Sequence, residues 1–408
     1  MNKSLLTVLK VVLVGALMYW VFTTVPWRDS YLTDPGTPQQ TATFGEILGP
    51  WDQSSVSFRP EGSEGVLELD QLLVVPGFWT YWANLHWSWF VGGLGLYLLS
   101  LAFSATRWWW LLRANNLPIG CFAALKFTFI GLFFNNVVPG QTGGDLVKAI
   151  YVMKRCPGER VAALMSVVVD RIMGLASLSI LAAVAVLFYL DDSEFRYLAV
   201  VLWAILGVVV LMGVLAFSRR MRSMIKLSDL LGALPKRISD LLRRVDDAVY
   251  FYRSHKVGMT VWLLAGVFNH VSSVLSYFCV GEALGVGMPI EDYFVLIPII
   301  VIVSAIPIAP NGWGVGEFMF QQLFGKFGAV HLPAVEGAQI MGTRGAALSV
   351  VYRLFILTTV SLAGGILFFF DKDKVTRADM KREIAAEEEE AASDASRAAG
   401  RANNGIDE

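Results

Sequence analysis

The chain has 408 residues, 55% of them hydrophobic and 16% charged, with positive mean hydropathy. That balance excludes a soluble globular enzyme and an intrinsically disordered chain, and indicates a polytopic all-α membrane protein. The net charge of −1 conceals a segregation of sign along the chain.

Leu5–Val25 is the first apolar run. It is long and lacks a small-residue cleavage site, so it reads as an uncleaved anchor (residues 1–25) rather than a signal peptide. Residues 26–86 are polar, and "SVSFRPEGSEGVLELD" within them predicts a small β-hairpin turning at Gly62–Gly65. Apolar runs follow at Trp87–Ala105, Cys121–Val138, Val161–Leu190, Tyr197–Phe217, Met259–Val280, Tyr293–Pro310 and Gly345–Phe370. A crossing helix needs about 20 apolar residues. "TRWWWLLR" (Thr106–Arg113) reads as an interfacial anchor. The basic segment 218–256 reads as a cytoplasmic stretch lying on anionic lipid. Residues 371–408 read as a disordered acidic tail that begins with a basic cluster.

Loop charge sets the orientation. Residues 107–160 carry seven Lys/Arg against two Asp/Glu, and residues 218–256 carry ten against four, so both are expected in the cytoplasm. Residues 26–86 carry two basic against eight acidic residues, and residues 282–344 two against five, so both are expected outside. The runs at Cys121–Val138 and Tyr293–Pro310 are then flanked on both ends by segments of one side. This predicts six full crossings and two re-entrant hairpins, with both termini in the cytoplasm. Eight ordinary crossings would give the same parity.

An internal repeat accompanies this pattern. Pro118 and Pro139 are 21 residues apart, as are Pro289 and Pro310. Each second proline opens a glycine-rich break, "PGQTGGD" or "PNGWGVGE", that ends in an acid, Asp145 or Glu317. Further on, "VVDRI" matches "VVYRL" and sets Arg171 opposite Arg353. Repeat one (87–190) and repeat two (257–370) are separated by one linking helix (197–217), so the second is inverted, which points to a transport site near the bilayer midplane.

Irregular backbone at membrane depth requires burial in protein or a watery cavity. Pro139 and Pro310 break the helices. Gly143 and Gly144, like Gly314, allow turns and close approach of a ligand. The new helix starts near Asp145 or Glu317 with free N–H groups, an end suited to an anionic head group. The acids themselves fit a second role, as caps of those helices. Arg171 and Arg353 lie within apolar runs, where ionisable residues face a cavity or a partner. They either pair with Asp145 and Glu317 or bind a lipid phosphate. Asp170, one residue before Arg171, points about 100° away on a helix. Asn135 and Asn136 satisfy broken backbone or touch substrate. Asn269 and His270 suit helix–helix hydrogen bonds. The three cysteines and four histidines form no disulfide framework or metal motif, and no phosphate-binding "GxxxxGK" loop is present. No cofactor is expected.

"FNNVVPGQTGGDLVKA", "VVVDRIMGL", "PNGWGVGEFMF" and "VVYRLF" resemble the flippase-like membrane domain of lysylphosphatidylglycerol synthases, over roughly residues 87–370. The resemblance implies translocation of a polar or anionic lipid, such as an aminoacylated phospholipid or a polyprenyl-phosphate-linked lipid, in a multi-pass plasma (inner) membrane protein. By motif it implies Asn136, Pro139, Gly143, Gly144, Asp145, Arg171, Gly314, Glu317 and Arg353 as the functional positions. About 38 residues follow the last apolar run, so aminoacyl transfer is not expected of this chain. Expected partners are membrane lipids and a separate lipid-modifying enzyme, with no nucleic acid. Two other readings stay open: an enzyme or accessory subunit of lipid-linked glycosyl transfer, with Asp145 or Glu317 as base, and a scaffold for partner enzymes.

Overall fold

The computed structural model describes residues 19, 27–33, 41–51, 53–70, 73–137, 143–190, 193–217, 252–304, 314–332, 337–376, 378–383 and 385–386. Five strands come first: β1 (Asp29–Thr33), β2 (Thr41–Ile47), β3 (Ser55–Pro60), β4 (Leu67–Asp70) and β5 (Val74–Val75). The helices are α1 (Phe78–Ala83), α2 (Trp87–Ala114), α3 (Cys121–Val137), α4 (Gly143–Arg155), α5 (Arg160–Ala185), α6 (Ser193–Phe217), α7 (Lys256–Ala283), α8 (Ile290–Ser304), α9 (Val315–Gly328), α10 (Gly337–Val351) and α11 (Thr358–Phe369). A π-helical turn, Tyr352–Leu357, joins the last two.

These elements form two compact units. One takes in Met1–Ser100, Pro139–Gln141 and Val271–Thr359; the other takes in Leu101–Val138, Thr142–His270 and Val360–Glu408. Among the described residues, four helical stretches are long and apolar enough to cross a bilayer: Trp87–Ala114, Arg160–Tyr189, Lys256–Ala283 and Ile340–Phe369. Cys121–Asn136 and Arg196–Leu211 are shorter apolar helices. The first apolar run, apart from Tyr19, and the opening parts of both glycine-rich breaks, residues 138–142 and 305–313 with Pro139 and Pro310, lie outside the described residues.

The first unit opens with an antiparallel sheet of order β4-β3-β2-β1-β5. The hairpin expected at Gly62–Gly65 is β3–β4, with Ser55 opposite Asp70 and Phe58 opposite Leu67. It belongs to a larger sheet than the sequence predicted. Alternation puts Val56 and Phe58 inside. On the other face the Ser55 and Ser57 hydroxyls donate to Glu68 at 2.9 and 2.7 Å, holding its carboxyl below the usual range. The buried Asp29 carboxylate accepts N–H bonds from Ile47 at 3.0 Å and Gly77 at 2.6 Å, tying β1 to the entry of α1. Further along this unit, the rings of Tyr277 and Tyr352 stack at 3.6 Å. The Tyr352 hydroxyl donates to Ser276 Oγ at 3.2 Å, which donates to the Gly93 carbonyl at 2.6 Å, fixing the start of the π turn.

The core of the second unit is built on Trp108, Leu112, Phe127, Ile130, Val147 and Tyr151. It adds to one expectation and corrects another. α2 continues through "TRWWWLLR", where Arg107, Trp108, Leu111 and Leu112 are buried. The start of the tail is not disordered. Val375 joins the core, and Lys126, Lys154 and Arg160 pair with Asp371, Asp379 and Glu383 at 2.8, 3.0 and 2.8 Å. Residues 387–408 lie outside the described residues.

Candidate functional site

Each glycine-rich break is followed by a helix with an acid at its third position. In the second unit α4 opens Gly143-Gly144-Asp145; in the first, α9 opens Val315-Gly316-Glu317. A carboxylate there sits beside free backbone N–H groups and the positive end of the helix dipole. An arginine from the following long helix meets each acid. Arg171 Nε donates to Asp145 Oδ2, and Arg353 Nε donates to Glu317 Oε1 at 2.7 Å. The residue just before each acid is a glycine in crowded space, required by backbone at Gly144 and set against a movable side chain at Gly316. The Gly131 carbonyl fills the space a side chain at Gly144 would need, and the Arg353 guanidinium fills it at Gly316.

The two pairs differ in their surroundings. The side chains of Arg171 and Asp145 are 37% and 18% exposed, whereas those of Arg353 and Glu317 are 9% and 2% exposed. Around Glu317 the contacts are dense. The Gly314 N–H donates to Oε2 at 2.6 Å, from a backbone with φ of 81° that favours glycine. The Ser349 hydroxyl lies 3.5 Å from Oε1. Arg353 sits in the π turn, and its freed carbonyl accepts from Thr358 Oγ1 at 3.0 Å. Such turns are frequent at functional positions.

In the second unit Asn135 Oδ1 accepts from the Gly144 N–H at 2.9 Å, the backbone-satisfying role expected of it. Asn136 is half-buried beside it. Asp170 points away from Arg171 and is held by Arg107, whose Nε donates to Oδ1 at 2.8 Å and Nη2 to the Asp170 carbonyl at 3.2 Å. Lys148 Nζ lies 3.8 Å from Asp170 Oδ2 and 4.2 Å from the centre of the Trp108 ring. Arg107, Lys148 and Asp170 are all buried. A His270 ring nitrogen lies 2.9 Å from the Gly174 carbonyl, a helix–helix contact of the expected kind.

The structure therefore gathers the sequence-derived positions into two sets. Gly143, Gly144, Asp145 and Arg171 meet in one unit, and Gly314, Glu317 and Arg353 in the other. Three residues counted as loop charge, Arg107, Lys148 and Arg344, are instead buried. Removing them leaves the sign of each loop bias unchanged. Lys148 had a legible signal, since it lies three residues after Asp145 on one helical face. Arg107 had a weaker one, the unbroken helical register of α2. Among the described residues no group of three His, Cys, Asp or Glu side chains could hold a metal ion.

The family model described as "Lysylphosphatidylglycerol synthase TM region" matches residues 72–364, which include both acid–arginine pairs. The chain belongs to that family. The UPF0104 membrane protein of Pyrococcus horikoshii is 31% identical over 127 residues, 30% of this chain and 38% of the relative, so the chain spans well under half of that curated protein. No solved structure matches. A membrane-domain family and four long apolar helices make this a polytopic membrane protein.

Proposed function

We propose that this protein moves a lipid with a polar or anionic head group between leaflets, the acyl chains staying in the bilayer. The observation that carries this reading is the Arg171–Asp145 pair: two opposite charges at a glycine-lined helix start, inside a membrane domain, left partly open. In exchange, Arg171 releases Asp145 and takes a head-group phosphate, which also meets the helix N-terminus. An aminoacylated head group adds an ammonium, for which the released Asp145 carboxylate is the counter-ion. Arg353 and Glu317 play the same parts in the other unit.

Loop charge supports the hairpin arrangement: basic residues predominate on both sides of Cys121–Val138, and acidic residues predominate over 282–344, which holds Tyr293–Pro310. The reading is therefore six full crossings and two re-entrant hairpins in an inverted repeat, with both termini in the cytoplasm and the protein in the inner membrane. Its partners are anionic or polar lipids and a separate lipid-modifying enzyme. An enzymatic role would need Asp145 or Glu317 as a base, and each carboxylate is already committed to an arginine.

Reconstitution into vesicles tests the proposal. Exchange of labelled phosphatidylglycerol or its lysyl ester between leaflets should be fast in the wild type and lost in Arg171→Ala and Arg353→Ala. Unchanged exchange in both variants rejects the assignment. Turnover of polyprenyl phosphate and a sugar donor by the purified protein would favour the enzyme instead.

A further inference from the structure

Among the described residues, no carboxylate pairs with the buried Arg344. It lies in α10 and is 5% exposed. Arg107 and Arg353, buried to a similar degree, each hold a carboxylate. Arg344 instead donates from Nη1 to the Val286 carbonyl at 3.1 Å, and the Trp51 ring lies 5.4 Å from its guanidinium carbon. Its Nη2 is buried and has no hydrogen-bond partner. Leaving an ion out of water with no opposite charge is strongly unfavourable, and an indole face offsets only part of that.

A second unused donor stands close by. Tyr81 is 2% exposed, its hydroxyl is buried with no partner, and its ring meets Trp51 edge-on at 5.2 Å. Burial pushes the phenol up to about 12, so it stays an O–H donor. Arg344 and Tyr81 thus flank one indole, each with an unspent N–H or O–H. A water could satisfy the phenol but would leave the guanidinium charge uncompensated.

The geometry points to an oxyanion site in the first unit, formed by Arg344 and Tyr81 and lidded by Trp51. The ligand is of the phosphate class, either a lipid phosphodiester or free phosphate. Trp51 follows β2 and lies outside the family match at 72–364, whereas Tyr81, Val286 and Arg344 lie inside it. The sheet region thereby has a function, to close this site. In the closed state the indole face stands in for the anion, and entry requires the ring to move. This assignment is separate from the translocation reading and does not involve Arg171 or Arg353.

The test uses the full chain in lipid-free detergent. The thermal midpoint is followed against inorganic phosphate and against dihexanoyl phosphatidylglycerol, with sodium chloride at matched ionic strength as reference. A ligand that binds the native state raises the midpoint. A rise with both ligands identifies a free-anion site; a rise with the lipid alone identifies a head-group site. In the Arg171→Ala background, Arg344→Gln should abolish most of the response that remains. Tyr81→Phe should weaken it about tenfold, and Trp51→Leu should bring it on at lower ligand concentration. Arg171→Ala alone should keep a rise that depends on Arg344, even where it no longer supports leaflet exchange. No rise in the wild type with either ligand overturns the site, as does an undiminished response in Arg344→Gln. If Arg344→Gln does not fold, wild-type behaviour of both Tyr81→Phe and Trp51→Leu overturns it.

Discussion

The two acid–arginine pairs share one local design and differ in burial. In both, an acid at the third position of a helix follows a closely packed glycine and meets an arginine of the next long helix. The Glu317–Arg353 pair is sealed and reinforced by the Gly314 N–H. The Asp145–Arg171 pair is partly open. A sealed pair is strongly destabilising to break, because it strands a buried charge. A partly open one exchanges partners at small cost. In the translocation reading the open pair is thus the one ready to trade a carboxylate for a head group, and the sealed pair is the same device in its closed condition.

Mutations can break this comparison. Glu317→Ala should lower unfolding stability by about 3–5 kcal/mol, while Asp145→Ala should lower it by about 1 kcal/mol or less. Equal losses in chemical denaturation would erase the distinction between the pairs. Gly144→Ala places a methyl against the Gly131 carbonyl, a backbone atom with nowhere to go, and should cost about 1–3 kcal/mol by the same measurement. Gly316→Ala meets the movable Arg353 side chain instead, so its loss should be smaller and should appear together with a displaced Arg353.

Smaller effects belong to the tail. Thr376 and Asp379 form a capping box: the Asp379 N–H donates to Thr376 Oγ1 at 3.2 Å, and the Thr376 N–H donates to Asp379 Oδ2 at 2.9 Å. Thr376→Ala should cost about 1 kcal/mol and speed proteolysis near residue 376. Thr376 N–H donation, followed by Lys154, depresses the Asp379 carboxyl to about 2 from its ordinary 3.8. A depressed acid stabilises above its unfolded value and loses that contribution as pH falls through its folded one. Protease protection of the tail should therefore be flat from about pH 8 to 5 and decline between about 4 and 2.

The two acid–arginine pairs were legible because charge and broken helix are conspicuous in an apolar sequence. Arg171 and Arg353 stood out in apolar runs, Asp145 and Glu317 at the ends of the glycine-rich breaks, and the matched proline spacing linked the two sets. Arg344 was not legible and Arg107 only weakly so, because a basic residue near the end of an apolar run looks like loop charge until the helix is seen to continue past it, whereas the spacing of Lys148 from Asp145 was a signal that loop-charge counting passed over. The π turn at Tyr352–Leu357 left no mark, since its residues suit an α-helix equally well. The sheet was read only at β3–β4, where alternation is clean and a glycine turn joins the strands. β1 and β2 mix threonine, glycine and single apolar residues, so pairing partners decide their conformation. The docked start of the tail was hidden by its composition: its acids are ordered by Lys126, Lys154 and Arg160, which lie more than 200 residues away.

Accessibility of the two glycine-rich breaks tests the central claim most directly. With Cys121, Cys156 and Cys279 replaced by alanine, Gln141→Cys and Asn311→Cys are exposed to a membrane-impermeant thiol reagent in oriented vesicles. Two water-reached hairpins of opposite sense require position 141 to be labelled from the cytoplasmic face and position 311 from the opposite face. Labelling of both from one face, or of neither from either face, would contradict the account.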